Sequence, residues 1–89
     1  MERHPHELPV PGPAIEDKDA REVLRLWAAG GKPRISIDTE CCEDPGAWGI
    51  VLVDMARHIA VACELSGKMK GPAVLDQIRQ TFVANWGKR

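Results

Sequence analysis

Residues 22–38, Glu22-Val-Leu-Arg-Leu-Trp-Ala-Ala-Gly-Gly-Lys-Pro-Arg-Ile-Ser-Ile-Asp38, are the stretch whose reading decides the fold. Two structures compete for its first half. As a helix, Asp19 would cap and Glu22 would close a capping box, with Ala20, Val23, Leu24, Trp27 and Ala28 on one stripe until Gly30 ends it. As a hairpin, Gly30 and Gly31 form a two-residue turn that needs positive φ. The second half arbitrates. Arg34-Ile-Ser-Ile-Asp38 alternates in polarity and cannot be helical beside Pro33. A strand needs a pairing partner, and Glu22–Ala29 is the only candidate nearby, so the hairpin reading prevails. Its register opposes Leu24 to Ile37 and Leu26 to Ile35 on one face. On the other face Trp27 meets Arg34 and Val23 meets Asp38.

Downstream, Asp44 is placed as an N-cap with Pro45 at the first helical position and Gly67 as the stop, giving a helix over about 45–66. Trp48, Leu52, Met55, Ile59 and Ala62 trace its core stripe, widened by Val51, Ala56 and Cys63. Gly46 and Gly49 would allow close backbone approach, against the hairpin. Pro72 opens a second helix over about 72–86, on which Leu75, Ile78, Phe82 and Trp86 repeat at helical spacing. The short connector between them makes the helices antiparallel neighbours.

Upstream, residues 1–19 read as a flexible Pro-rich arm. Pro5, Pro9, Pro11 and Pro13 with Gly12 cannot continue a helix, so Leu8–Pro13 is expected to be extended. Residues 20–89 then form a single small domain. The expected fold is α+β: arm, hairpin packed on the helix pair, and nothing repeated.

Composition excludes several functions. In 89 residues, 12 Lys+Arg against 13 Asp+Glu leave a net charge of -1, which gives no footprint for nucleic acid. No apolar run reaches the ~20 residues of a membrane span. Residues 1–45 hold ten acids and six bases, and residues 46–89 hold three acids and six bases. Helix ends explain much of that split: Glu43 and Asp44 stand at a helix start, and Lys68, Lys70, Lys88 and Arg89 follow helix ends. Three cysteines, an odd count without an export segment, indicate reduced thiols and a cytoplasmic location.

Four constellations carry candidate chemistry. Asp54, Arg57 and His58 share a helical face by their i+3 and i+4 spacing, where a carboxylate could orient an imidazole, although a solvated face carrying an ordinary Asp–Arg pair is the better explanation. His58 facing the hairpin as a buried residue is the other reading. Cys41 and Cys42 are weak metal candidates, because adjacent thiolates do not converge on one ion as a CxxC turn does. The expectation is that one packs inward while its neighbour faces solvent, and that Cys63 is buried. His4-Pro5-His6 is incidental, and Gly30-Gly31-Lys32 lacks the spacing of a phosphate loop. The hairpin edge is the fourth: it presents free donors and acceptors that a symmetry mate can pair. Trp27, Arg34 and Trp86 are the interface candidates, tryptophan being favoured at interface hot spots.

Leu-Pro-Val-Pro at 8–11, Arg-Leu-Trp-Ala-Ala-Gly-Gly-Lys at 25–32, Asp-Pro-Gly-Ala-Trp-Gly-Ile-Val-Leu-Val-Asp-Met-Ala-Arg-His-Ile at 44–59, and Ile-Arg-Gln-Thr-Phe at 78–82 with Trp86 resemble a short proteobacterial family known as a domain of unknown function. The resemblance spans most of the chain. It implies that the Asp-Pro-Gly-Ala-Trp helix start is a family hallmark, and it agrees with the hairpin. It carries no activity, substrate, catalytic residue or thiol role.

These readings converge on a small cytoplasmic interaction or regulatory module that acts as a homodimer through its hairpin edge, with no cofactor, nucleic acid or membrane. The alternative is a small-molecule-binding or catalytic domain built on Asp54, Arg57 and His58. Eighty-nine residues point less to an enzyme than to half of an assembly.

Overall fold

The computed structural model describes residues 4–88, and Arg89 lies outside them. The elements run α1 (Gly12–Glu16), β1 (Leu24–Ala29), β2 (Lys32–Ile37), a 3-10 turn (Thr39–Cys41), α2 (Ala47–Leu65) and α3 (Gly71–Asn85). A hairpin followed by two main helices is the α+β order expected. The chain divides into two compact units, Met1–Cys41 and Cys42–Arg89.

In the first unit, β1 and β2 pair antiparallel as one two-stranded sheet. Gly30 and Gly31 have φ of 63° and 75°. Two successive positive φ values define a type I′ turn, whose twist matches the flanking strands. Glycine reaches those angles without a Cβ clash. The register is the expected one, Leu24 opposite Ile37, Leu26 opposite Ile35 and Trp27 opposite Arg34. The Asp38 N–H donates to the Val23 carbonyl at 2.9 Å and extends the ladder by a further pair. Arg21 then joins the Asp38 carboxylate at the open end of the hairpin. Leu26, Ile35 and Ile37 remain 57%, 60% and 52% exposed on one apolar face of the sheet.

Before the hairpin, Pro11 is extended as expected, with φ -58° and ψ 142°. The extended reading is corrected from Gly12 onward, because Gly12–Glu16 turn as α1. Pro13 does not obstruct this turn, since a helix has no partner for its first N–H groups. Ala14 and Ile15 donate to the Pro11 carbonyl at 3.0 and 3.2 Å.

In the second unit, α2 begins at Ala47, slightly later than Pro45. Asp44 still organises the start: its Oδ1 accepts the Gly46 N–H and its carbonyl accepts the Ala47 N–H, both at 2.9 Å. Gly67 stops the helix with φ 78°. Lys68 donates to the Cys63 carbonyl at 3.1 Å and Gly67 to the Glu64 carbonyl at 3.0 Å, the paired bonds of a Schellman motif. α3 follows with Pro72 in its first turn and returns against α2.

Ala60 and Val74 are the buried apolar side chains among the described residues. Val51, Met55, Ala56 and Cys63 of α2 and Leu75 and Ile78 of α3 are half-buried around them. The expected stripe is therefore corrected. Leu52, Ile59 and Ala62 are exposed, whereas Trp48 and Met55 of that stripe and Val51, Ala56 and Cys63 of its widening are half-buried, and the inward line passes through Ala60. α2 also exposes Ile50, Val53 and Val61, so it is apolar on most sides and its periodicity does not select the inward stripe. A Cβ at Gly49 would meet nothing within 4 Å, so no close approach accounts for that glycine. Among the described residues no helix is long and apolar enough to cross a membrane.

Candidate functional site

Antiparallel pairs alternate between those that exchange both backbone bonds and those that exchange none. A two-residue turn makes Ala29 and Lys32 a bonded pair, and the Asp38–Val23 bond fixes the same phase at the other end. Leu24, Leu26 and Ala28 therefore turn their backbone N–H and C=O groups away from β2, toward the open edge of β1. On β2 the outward residues are Pro33, Ile35 and Ile37. Pro33 has no N–H, so the two edges are unequal.

Trp27 sits beside the β1 edge, half-buried. The His4 ring meets its indole edge-to-face, with centroids 4.8 Å apart and planes at 67°. His4 Nδ1 accepts the His6 N–H at 3.1 Å, which fixes that nitrogen as an acceptor in this arrangement. A cleft of about 730 Å3 lies between the arm, including Leu8 and Val10, and β1 from Leu24 to Ala28. Arg34, the residue opposite Trp27, reaches back toward the turn: a Cβ at Gly30 would lie 3.9 Å from its Nη2. Trp86, 75% exposed, stacks on Phe82 at the end of α3 with centroids 5.2 Å apart.

Asp54, Arg57 and His58 share one exposed face of α2, as their spacing predicts. Arg57 Nη1 stands 3.9 Å from Asp54 Oδ1, long for a charge-assisted bond. His58 Nδ1 lies 2.8 Å from the Asp54 backbone carbonyl. A carbonyl only accepts, so Nδ1 carries the proton and the helix backbone, not the Asp54 carboxylate, orients the ring. His58 is exposed rather than buried. Cys41 and Cys42 are both half-buried, which corrects the expectation of one inward and one outward thiol, and Cys63 is half-buried as well. Among the described residues no group of three or more His, Cys, Asp or Glu side chains is arranged to hold a metal ion.

Sequence reasoning missed two local features. The His4–Trp27 contact is a tertiary event with no periodic signal. The cluster Asp76, Arg79 and Gln80 was legible from its i+3 and i+4 spacing. Arg79 Nη2 donates to Asp76 Oδ1 at 2.8 Å and Gln80 Nε2 to Oδ2 at 2.6 Å. The Arg79 hydrogen bond, chiefly, holds the Asp76 carboxyl below its ordinary value of 3.8.

The chain thus presents a hairpin whose β1 edge keeps its outward donors and acceptors, followed in sequence by a helix pair with exposed apolar side chains, an α+β arrangement. Residues 7–88 match the family described as Domain of unknown function (DUF5076), and the chain belongs to that family. It is similar to the solved structure of a protein provisionally named a pyruvate dehydrogenase, from the photosynthetic bacterium Rhodopseudomonas palustrus CGA009. The two are 31% identical over 99% of this chain and 89% of that one, with a TM-score of 0.76. No curated protein matches the chain.

Proposed function

We propose that this protein is a small cytoplasmic interaction module, without enzymatic activity of its own, that works as a homodimer joined through the hairpin edge. One observation carries the reading. Leu26, Ile35 and Ile37 lie more than half exposed on a two-stranded sheet whose β1 edge keeps outward donors and acceptors. A two-stranded sheet is marginal in water, and further strands stabilise it. The helical unit supports the same reading, since Leu52, Ile59, Phe82 and Trp86 are exposed while only Ala60 and Val74 are buried apolar residues among those described. The cytoplasmic location rests on the odd cysteine count.

Light scattering across micromolar concentrations tests the homodimer. A mass about twice the 9.8 kDa of the chain is expected. A mass of 9.8 kDa at every concentration overturns the reading.

A further inference from the structure

We infer that the dimer forms by antiparallel pairing of β1 with β1 of a second copy, in a register centred on Leu26. This inference rests on the homodimer reading and specifies its geometry. The sheet then runs β2, β1, and the second copy's β1 and β2.

Three features single out this arrangement. The first is the outward row. Leu24, Leu26 and Ala28 project their N–H and C=O groups from β1, and none of them takes a backbone partner outside the hairpin among the described residues. Antiparallel pairing about Leu26 sets that residue against the partner's Leu26, and Leu24 against the partner's Ala28. Every outward group of β1 is then used.

The second is the unequal chemistry of the two edges. β2 offers Ile37, Ile35 and Pro33, and the missing Pro33 N–H leaves a gap in any ladder built there. A hairpin with one complete edge and one interrupted edge closes at two copies. Two equal edges would permit open-ended growth.

The third is what the register does to the side chains. Leu24, Leu26, Ala28, Pro33, Ile35 and Ile37 share one face. Pairing about Leu26 makes that apolar face continuous across the dyad. On the opposite face the register sets Arg25 against the partner's Trp27, and the reverse. Arg25 is half available: its side chain is 43% exposed and its Nη2 holds Glu22 Oε1 at 2.8 Å. A guanidinium beside an indole is favourable, so the two copies complement each other twice. The second strand would enter at the cleft of about 730 Å3 between β1 and the arm, which Leu8 and Val10 help to line.

The test compares proline substitutions on the two edges by light scattering, with circular dichroism to verify folding. Leu26→Pro removes a central outward donor and leaves the β1–β2 bonds in place. It should weaken association about tenfold or more, the loss expected for about 1.4 kcal/mol at the centre of the interface. Ile35→Pro makes the equivalent change on β2 and should leave the dissociation constant within about threefold. If either proline variant fails to fold, Leu26→Lys and Ile35→Lys replace them. Leu26→Lys sets two ammonium groups opposite each other at the dyad, whereas Ile35→Lys keeps them apart by the two β1 strands. A wild-type dimer broken by the Leu26 substitutions and not by those at Ile35 supports the inference. A dimer broken through Ile35 and indifferent to Leu26, or indifferent to both, overturns it while leaving the homodimer reading intact. A wild-type monomer at all concentrations overturns both.

Discussion

The Gly71 N–H donates to Glu64 Oε1 at 2.8 Å, so a carboxylate near the end of α2 satisfies an open donor at the start of α3. The bond spans the connector and does for α3 what an N-cap side chain does locally, since Lys70 at the cap position makes no side-chain cap bond. It also places negative charge at the positive end of the α3 dipole.

Glu64→Ala should therefore cost about 1 kcal/mol, the typical value of a lost helix cap. Glu64→Gln should recover part of it, because an amide oxygen still accepts the bond. Urea unfolding of the two variants against wild type measures both steps.

The hairpin turn responds to a different constraint. Gly30→Ala or Gly31→Ala puts a Cβ on a residue with positive φ. Each should destabilise by about 1 kcal/mol. Gly30→Asn should be tolerated, because asparagine accepts these angles and Asn-Gly is the favoured pair in this turn. Thermal melts of the three variants rank them.

Packing in the helical unit is concentrated near the connector. Val74→Ala removes buried methyl groups and should cost about 1–2 kcal/mol at ~0.8 kcal/mol per buried carbon. Val83→Ala, on the exposed side of the same helix, should stay within about 0.5 kcal/mol. Chemical denaturation distinguishes the two.

Asp76 provides a pH-dependent test. Its carboxyl is held below the ordinary 3.8 by Arg79 first, with Gln80 adding to the effect. A depressed carboxylate contributes stability above its unfolded value, and that contribution is lost as pH falls through the folded value. The window therefore lies at and below 3.8. An NMR titration should place the Asp76 midpoint under that of an unperturbed aspartate, and Arg79→Ala should move it upward. Asp76 is well exposed, so the effect on overall stability should be small.

How much of this was legible depended on whether local chemistry was sufficient. Gly30-Gly31 and Pro33 admit few backbone solutions, and the register they impose places Leu26 opposite Ile35 as read. Gly67 ends α2 for the same reason. The inward stripe of α2 was legible only in part: Met55, Val51, Ala56 and Cys63 were read inward, but Leu52 and Ile59 are as apolar and only packing turns them outward. α1 was obscured by Pro11 and Pro13, which forbid a helix interior but suit a helix start. Among the candidate site residues, spacing placed Asp54, Arg57 and His58 on one face correctly. Spacing alone did not reveal that His58 bonds the backbone instead of the carboxylate. The outward row on β1 followed from the turn type, and the His4 contact on Trp27 had no sequence signal at all.

The distribution of tryptophans has an optical consequence. The chain has three tryptophans and no tyrosine: one on β1, one on α2 and one at the residue that follows α3. Trp27 abuts an imidazole, Trp48 is half-buried, and Trp86 stacks on Phe82 with most of its surface in water. Variants keeping one indole each would give a quenchable emitter in the hairpin and two emitters of different colour in the helices. The melting of each unit could then be followed separately, in its own emission band and without an added dye.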